Sequence, residues 1–425
     1  MSGQTQIPKL VDHLFRHEAG KIVSVLTRLF GPANLELAED VVQDSLVEAM
    51  EHWQYGGVPD NPSAWLFRVA RNKALNALNR ENYKREYRSH TAHLLKSELL
   101  TEPRLDHLFS EQEIHDDQLR MIFTCCHPSI SPDSQIALAL KTLCGFSISE
   151  IAKAFLTSEE NIGKRLTRAR QNIRDAKAAF EIPHGKNLER RLNTVLETIY
   201  LLFNEGYSAS KGNDIIRHEL CEEAIRLAQI VIASKTFQHK ENVHALLALM
   251  IINASRFKAR QDKDGNLLTL AEQDRSLWDK EMLSIGLGHL TEAAKNDRIS
   301  VYHIHAAISA QYSIAADYGS TDWNNVLALY DSLLQLDDSP LILLNRAIVV
   351  SKVYGVEQAL AELEKIEANP ALKTYHLFYS TKAEFHIQDN DLTNAIASLE
   401  KAIGLAPLQS EKELLKRKLH RLSAH

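Results

Sequence analysis

The chain has 425 residues, of which 44% are hydrophobic and 24% charged, and its formal net charge at pH 7 is −6. A chain of this length buries a large core, and we expect two or three domains. It contains no run of about 18 apolar residues, no charged-then-apolar leader, and too few cysteines for a disulfide framework. We therefore expect a cytoplasmic protein that makes no contact with a membrane.

The spacing of apolar residues predicts an almost wholly helical fold. Glycine and proline are sparse, and apolar residues recur at intervals of three and four along the chain. The stretch "LELAEDVVQDSLVEAMEHW" carries one apolar stripe, formed by Val42, Leu46, Ala49 and Trp53. After the loop "QYGGVPDNP", a second helix begins at "SAWLFRVARNKAL", and its predicted core residues are Leu66, Ala70 and Leu78.

Charge is distributed unevenly in the first 180 residues. Between Leu29 and Phe67 there is no Lys or Arg, so the helix with the apolar stripe exposes an acidic surface. From Arg68 to Arg88 seven basic side chains face two acidic ones, and residues 145–177 hold seven basic and four acidic side chains. The net charge of the chain therefore hides one acidic helix and two basic segments within the first 180 residues.

These patterns divide the chain into four segments. Residues 9–90 are expected to form a compact helical domain, and the polar segment 91–115 a linker. Residues 116–180 are expected to form a second small helical domain. Residues 184–425, with 27 basic and 31 acidic side chains, are expected to form a larger array of amphipathic helices.

The C-terminal segment contains an internal repeat. "NRAIVVSKVYGVEQALAELEKIEANP" superposes on "TKAEFHIQDNDLTNAIASLEKAIGLAP" at an offset of about 36, so that Ala347 matches Ala383 and Ala359 matches Ala395. Small residues at this spacing let paired helices pack closely, as in the tetratricopeptide helix pair. The alternative is an antiparallel helix array in which the spacing has no repeat origin.

The stretch "GFSISEIAKAFLTSEENIGKRLTRARQNIR", residues 145–174, predicts two helices joined by a tight turn. A capping box is expected at the start of each helix, with Ser147 and Glu150 in the first and Thr157 and Glu160 in the second. The predicted buried stripe of the second helix consists of Ile162, Leu166, Ala169 and Ile173.

The outward face of that second helix fits a DNA groove. A recognition helix reads base edges with its N-terminal outward side chains, while flanking arginines contact phosphates. The candidate base-reading residues are Asn161, Lys164, Thr167 and Arg168. The candidate phosphate contacts are Arg165, Arg170 and Arg174. The alternative is a solvated basic face without a ligand.

Taken in order, the motifs resemble the extracytoplasmic-function group of bacterial sigma-70 factors, which keeps only regions 2 and 4. The resemblance covers residues 9–177 and is carried by "AEDVVQDSLVEAM", "AWLFRVARNKALNAL" and the helix pair of residues 145–174. It implies an all-α fold made of two small DNA- and polymerase-binding domains, the second a helix-turn-helix. The helical repeat array follows them.

The resemblance also implies roles for individual residues. The acidic helix of region 2 docks on the β′ subunit of core RNA polymerase, and the β subunit is a further partner. The docking positions are Asp40, Gln43, Asp44 and Glu48. The promoter −10 element is opened by Arg68, Arg71, Asn72, Lys73 and Asn76. The −35 element is read by Asn161, Lys164, Arg165, Thr167, Arg168 and Arg170.

Three further features accompany the resemblance. The loop from Gln54 to Asn61 would cradle a flipped base, and Trp65 is either its aromatic neighbour or a core residue. The acidic linker is expected to thread a polymerase channel. The family has Lys or Arg where this chain has Gly163, which removes one DNA contact and costs the helix about 1 kcal/mol relative to Ala.

The C-terminal segment resembles that of a subgroup with a fused tetratricopeptide-like domain, through "FTCCHP", "LFNEGYSAS" and "DWNNVLALYDSLL". This implies regulation by the fused domain through an intramolecular contact with region 2 or 4, or through an unknown protein or ligand on the array. In "LFNEGYSAS", the residues Asn204, Glu205 and Tyr207 are expected to anchor the junction before the array or to bind a ligand.

Weaker patterns are interpreted as structural. Cys125, Cys126 and His127, with Cys144, are expected to be core residues, because adjacent cysteines on a helix point about 100° apart and rarely share a metal. "DKDG" at 262–265 is expected to be a turn. His303 and His305 are expected to lie on a packed helix. We therefore expect no metal, no cofactor and no catalytic site.

Three functions compete on this sequence. The first is a sigma factor that binds core polymerase and directs initiation at promoters. The second is a helix-turn-helix regulator with a repeat-array sensor that acts without polymerase docking. The third is a metal enzyme built on the Cys/His cluster. The acidic docking helix favours the first, because a regulator that binds DNA alone has no use for it.

Overall fold

The computed structural model describes residues 6–86, 111–155, 157–207, 217–263, 268–296, 298–407 and 409–423. Throughout these ranges the regular elements are helices, with no strand, which confirms the predicted all-α class. The chain divides into two compact units, Met1–Leu202 and Phe203–His425. No helix in the described part of the chain has the length and apolarity to cross a bilayer.

Three helices form the first part of unit 1, because each has a stripe of apolar side chains that needs cover. They are α1 (Gln6–Phe30), α2 (Leu35–Gly56) and α3 (Pro62–Glu86). The predicted stripe of α2 is buried at all four of its positions, and so are Leu66 and Ala70 of α3. The side chain of Leu78 lies outside the described residues. Trp53, which is fully buried, fills the space between α2 and α3.

The second part of unit 1 contains the predicted helix pair. Its elements are α4 (Glu111–Cys125), α5 (Pro132–Thr142), α6 (Ile148–Ala154), α7 (Glu159–Asp175) and the start of α8 (Lys186–Tyr207). The expected linker at 91–115 lies outside the described residues except for its last five residues, which form the first turn of α4. The predicted buried stripe of α7 is confirmed at Ile162, Leu166, Ala169 and Ile173.

One of the two predicted capping boxes is present. At α6 the Glu150 amide donates to the Ser147 hydroxyl at 3.1 Å, and the Ser147 amide donates to the Glu150 carboxylate at 2.8 Å. At α7 the prediction was wrong by one residue. Ser158 is the N-cap and accepts from the Asn161 amide at 3.2 Å, because it holds the extended conformation that precedes a helix. Thr157 instead accepts from the Asn161 side chain at 3.0 Å.

The two parts of unit 1 pack directly on each other. Helix α1 contacts α4 and α5, and Gly20 on α1 lies against the backbone at Leu143, just after α5. A Cβ at position 20 would lie 2.1 Å from the Leu143 carbonyl oxygen. Only glycine allows this close approach between a helix and a neighbouring backbone.

Unit 2 begins with the end of α8 and continues as an array of helices. They are α9 (His218–Ala233), α10 (Glu241–Ala254), α11 (Lys280–Ala293), α12 (Val301–Ile314), α13 (Trp323–Leu334), α14 (Pro340–Val353), α15 (Val356–Glu367), α16 (Pro370–Lys373), α17 (His376–Gln388), α18 (Leu392–Leu405) and α19 (Gln409–Ser423). Short 3₁₀ turns occur at Phe257–Ala259 and Arg275–Leu277.

The repeat found in the sequence corresponds to two packed helix pairs, α14–α15 and α17–α18. The four matched alanines, which belong to these paired helices, have no exposed surface. One continuous apolar core extends from α12 to α19 and includes Val326, Leu363, Phe378 and Leu399. The small residues therefore set the close packing that the offset of about 36 predicted.

The end of α8 is fixed within unit 2 by aromatic and guanidinium contacts. The Tyr207 hydroxyl accepts a hydrogen bond from Arg256 at 2.7 Å, and the Tyr207 backbone carbonyl accepts one from Arg260. The Arg260 guanidinium also lies 3.8 Å from the centre of the Tyr207 ring, a cation–π contact. Glu205 accepts from Arg217 at 2.8 Å. Of the three residues expected to anchor this junction, Glu205 thus contacts the start of α9 and Tyr207 contacts the turn after α10.

We predict that Gly20→Ala lowers the melting temperature of unit 1. Replacing a helical glycine with alanine ordinarily stabilises by about 1 kcal/mol, but overpacking costs roughly 1–3 kcal/mol. At position 20 the clash with the Leu143 carbonyl outweighs the helix propensity gained. Differential scanning calorimetry of the full chain measures the shift, which we expect to be about 2–4 °C downward for each kcal/mol lost.

The matched control is Gly163→Ala on α7, where no heavy atom lies within 4 Å of the added Cβ. This variant should raise the melting temperature, because only the helix propensity changes. A Gly20→Ala protein that is stabilised as much as the Gly163→Ala protein contradicts the close approach of α1 to Leu143.

Candidate nucleic-acid interface

The solvent face of α2 carries the predicted acidic surface. Asp40, Gln43 and Asp44 are exposed along it, while the apolar stripe of the same helix is buried. Partial burial and the neighbouring carboxylates of Glu36 and Asp44 raise the pKa of Asp40. A group of repelling carboxylates favours a basic partner, because positive charge relieves the repulsion.

This acidic surface is edged by apolar side chains that face solvent. Val47 is 54% exposed and Met50 45% exposed, and both follow the acidic residues along α2. Glu48, the fourth predicted docking residue, lies to one side and forms an ion pair with Lys73 of α3 at 2.8 Å. A mixed acidic and apolar surface is typical of a protein-binding site.

Helix α3 presents a separate polar surface. Arg68, Asn72 and Asn76 are exposed and recur every four residues, which places them on one face of the helix. Arg71 and Lys73 are half-buried, so the five predicted −10 residues do not share one surface. A row of one cation and two amides offers hydrogen-bond donors and acceptors to unpaired bases as well as to phosphates.

The end of α2 adds an aromatic residue that the sequence analysis missed. Tyr55 is 89% exposed in the last turn of α2. Trp65 is half-buried and lies edge-on to the buried Trp53, with ring centroids 5.3 Å apart, which supports its interpretation as a core residue. Exposed aromatic rings stack on unpaired bases, and the sequence signal was an aromatic residue directly before two glycines.

Helix α7 exposes the four candidate base-reading residues, as its buried stripe requires. Lys164 forms an ion pair with Glu160 at 2.6 Å, and the Thr167 hydroxyl donates to the Gly163 carbonyl at 2.9 Å. Arg168 lies beside a polar cavity of about 430 Å³ between α7 and the start of α5. The cavity is lined by Ser129, Ser131, Asp133, Arg165, Arg168 and Asn172.

The candidate phosphate contacts differ in their surroundings. Arg165 lies 3.4 Å from the Asp133 carboxylate, and Arg174 donates to the Gln171 side chain at 3.0 Å. Arg170, which the sequence analysis assigned to phosphate contact, does not face solvent. Its side chain is only 12% exposed and pairs with the buried Glu39 of α2, because α2 packs close enough to offer a carboxylate. In this conformation Arg170 does not reach a DNA phosphate.

Gly163 lies on α7 at a position with open space beside the backbone. Nothing lies within 4 Å of the position that a Cβ would take there, and the residue has ordinary helical backbone angles. Steric crowding therefore does not explain why this chain has glycine at this position instead of the expected Lys or Arg.

The cysteine cluster is part of the core, as expected. Cys125, Cys126 and Cys144 are buried, and the Cys125 thiol lies 3.1 Å from the Thr142 hydroxyl. Burial raises the pKa of the Cys126 thiol to about 11, as expected for a thiol in the core. In the described ranges, no three His, Cys, Asp or Glu side chains come together as a metal site.

The remaining motifs have structural surroundings. His303 caps α12, with its Nδ1 3.1 Å from the Ser300 amide and its Nε2 3.2 Å from the Ala293 carbonyl. His305 lies half-buried on the same helix, and burial lowers its pKa. Of the "DKDG" stretch, only Asp262 and Lys263 fall within the described residues.

Comparison with known proteins gives three matches to family models. Residues 14–83 match the model described as Sigma-70 region 2, and residues 120–173 match the one described as Sigma-70, region 4. Residues 191–294 match a family described as of unknown function, DUF6596. No solved structure matches the chain.

A curated relative covers almost the whole chain. An uncharacterized protein of Rhizobium meliloti is 35% identical over 391 residues, which are 92% of this chain and 91% of the relative. The region 2 match contains the exposed surfaces of α2 and α3, and the region 4 match contains α6 and most of α7. The chain belongs to the sigma-70 family, in its extracytoplasmic-function group, and carries a C-terminal helical extension.

Proposed function

We propose that the chain binds core RNA polymerase through the acidic surface of α2 and directs it to promoters by contacting DNA with α3 and α7. A member of the sigma-70 family with regions 2 and 4 is a transcription initiation factor. We therefore propose that it acts in the bacterial cytoplasm, where it binds RNA polymerase. The observation that carries the finer proposal is the separation of charge. Asp40, Gln43 and Asp44 are exposed on α2, whereas Arg68 and Arg168 are exposed on helices matched to DNA-binding regions.

The acidic surface is the proposed polymerase contact, with the β′ subunit as the main partner and β as the second. Its carboxylates repel each other and need a basic partner. Val47 and Met50 add exposed apolar area beside them. Glu48 contributes at the edge, where its carboxylate is shared with Lys73.

The two polar helices are the proposed promoter contacts. Arg68, Asn72 and Asn76 of α3 face the non-template strand of the −10 element, and Tyr55 stacks on an unpaired base. Arg71 and Lys73 support that surface from its half-buried edge. On α7 the −35 contacts are Asn161, Lys164, Thr167 and Arg168, with Arg165 on the phosphate backbone.

The C-terminal helical domain is the proposed regulator. The domains that we assign are region 2 at 9–90, region 4 at 116–180 and the regulatory domain expected at 184–425, of which the residues up to Leu202 belong to unit 1. The repeat pairs α14–α15 and α17–α18 give this domain the packed architecture of repeat proteins that bind other proteins. Its partner is region 2 or 4 of the same chain, or a separate protein or ligand.

We predict that replacing Asp44 and Gln43 together with Ala weakens binding to core RNA polymerase about tenfold, because two central interface contacts are lost. Promoter-specific run-off transcription should fall in parallel at limiting protein. Fluorescence anisotropy with purified core polymerase measures the affinity. Glu364→Ala, an exposed acidic residue on α15, is the control and should bind as the unchanged chain does. Full activity in the double variant contradicts the docking surface.

We predict that Gly163→Arg increases affinity for duplex DNA. The Cβ of the new side chain has free space, and the substitution adds one cation to α7. One added phosphate contact steepens the dependence of log affinity on log salt by about 0.9. Gly163→Ala is the control, because it changes helix propensity without charge. Equal affinity and equal salt dependence for the Arg and Ala variants would show that this face does not lie on DNA.

We predict that removing residues 208–425 changes promoter-dependent transcription while unit 1 stays folded. The cut is placed after α8, because Thr198 of α8 donates to Gln135 at 3.0 Å and Arg191 donates to the Phe123 carbonyl. A cut at residue 184 would remove these contacts and expose the core of region 4. Circular dichroism of the shortened chain controls for folding. Unchanged transcription by a folded shortened chain contradicts regulation by the C-terminal domain.

A further inference from the structure

We propose that His244 and His289 form a binding site for a divalent transition-metal ion, with Glu292 as the third ligand, and that Zn²⁺ fits it best. The ion joins helices α10 and α11 within unit 2 and keeps a fourth position for water. All three residues lie within residues 191–294, the segment matched to a family of unknown function. The proposal is independent of the polymerase and promoter contacts assigned to unit 1.

The first observation is the meeting of two imidazole rings. The Nδ1 atoms of His244 on α10 and His289 on α11 lie 2.9 Å apart, and the ring centres are 5.1 Å apart. One tetrahedral Zn²⁺, with Zn–N distances of about 2.0–2.1 Å, holds two such nitrogens about 3.3 Å apart and the ring centres about 5.2 Å apart. The rings are therefore already at the required separation, and a small turn of each moves its nitrogen from a hydrogen bond onto a metal.

The second observation is that both rings favour the form that binds a metal. Burial lowers the pKa of His244, and the neighbouring His289 lowers it further. Burial also lowers the pKa of His289. A neutral imidazole is the form that coordinates a metal. One of the two rings carries its proton on Nδ1 in the hydrogen bond, and this proton has to move to Nε2 when the metal binds.

The third observation is a carboxylate one turn along α11. Glu292 follows His289 by three residues, so both side chains project from the same face of the helix. Its carboxylate pairs with Lys295 at 2.6 Å, and the two side chains are 45% and 64% exposed. The hydrogen bond to Lys295 lowers the pKa of Glu292, and the two histidines lower it further, so the carboxylate lies within electrostatic reach of both rings.

The carboxylate reaches the metal by leaving Lys295. Among the described residues, two metal-ligating side chains and not three meet at this point, and turning Glu292 supplies the third. An exposed ion pair contributes little stability, so exchanging Lys295 for a metal ion costs little. Two imidazoles and one carboxylate around an open position form a ligand set that suits Zn²⁺.

The backbone beneath the two rings is held by close packing of α10 on α11. A Cβ at Gly286 of α11 would lie 2.7 Å from the Ile252 side chain of α10, so glycine is needed for this approach. Beyond the other end of the contact, the Asn296 side chain donates to Glu241 of α10 at 3.2 Å. Helices fixed in this way keep the two imidazoles together without a metal, and a preorganised pair of ligands loses little entropy on binding.

The first experiment titrates ZnCl₂ into the full chain, freed of metal with a chelator and carrying no affinity tag, by isothermal titration calorimetry. We expect one Zn²⁺ to bind and Mg²⁺, which prefers oxygen ligands, not to bind. His244→Gln and His289→Gln should each weaken Zn²⁺ binding about a hundredfold and Glu292→Gln about tenfold, because losing even a residue that only orients a ligand costs roughly 10–100-fold. His420→Gln, which removes an exposed imidazole of α19, is the control and should bind as the unchanged chain does.

Two results overturn the proposal. Zn²⁺ binding that stays as tight in the double variant His244→Gln/His289→Gln places the metal elsewhere on the chain. A chain that binds no Zn²⁺ shows that the two rings share a hydrogen bond and nothing more. Circular dichroism melts of every variant without metal establish that the chains are folded.

The second experiment replaces Zn²⁺ with Co²⁺, whose visible absorption is strong only when its ligands are tetrahedral. We expect the Co²⁺-loaded chain to show this absorption and His289→Gln to lose it. Added Zn²⁺ should also raise the melting temperature of the unchanged chain, because the ion binds the folded form, and should leave that of the double variant as it is. A purely structural role of the two histidines predicts neither effect. Weak absorption, as from Co²⁺ with six ligands, contradicts the tetrahedral site.

Discussion

The burial of one apolar stripe on each amphipathic helix is the constraint on which unit 1 depends. On α2 the stripe ending at Trp53 is buried, so the helix cannot rotate and its carboxylates must face outward. On α7 the stripe from Ile162 to Ile173 fixes the polar face in the same way. Because the helical period is 3.6 residues, the charged side chains of each helix lie on the face opposite its buried stripe. A chain with a net negative charge therefore presents both an acidic and a basic surface.

The stripes were predictable because they depend only on local periodicity, and the all-α class followed from them. The surroundings of Arg170 were not predictable. Its position on α7 borders the buried stripe, and only the packing of α2 supplies the Glu39 carboxylate, from a residue 131 positions away. The N-cap of α7 was misplaced for a smaller reason, because Thr157 and Ser158 are both good caps and their backbone conformation decides between them. Tyr55 was missed because a single exposed aromatic residue leaves no periodic pattern in the sequence.

In unit 2 the repeat was visible because tight helix packing tolerates only small side chains at the crossing points. Ala347 and Ala383 occupy matching positions of the two helix pairs, and neither has exposed surface. The sequence offered no comparable signal for the guanidinium contacts at Tyr207, because Arg256 and Arg260 come from a turn about 50 residues later. Periodic features of the backbone thus appear in the sequence, whereas contacts between distant polar side chains appear only in the fold.

The hydrogen bond from Thr167 to the Gly163 carbonyl has a consequence for the proposed contact of α7 with bases. A hydroxyl that has given its proton to its own helix presents an acceptor and a methyl group outward. In the major groove an acceptor pairs with the amino group of adenine or cytosine, and a methyl group packs against the methyl of thymine. Guanine offers two acceptors and no donor at that edge, so it gains nothing from this side chain. If α7 enters a major groove as proposed, the Thr167 side chain in this conformation would therefore offer guanine no hydrogen bond.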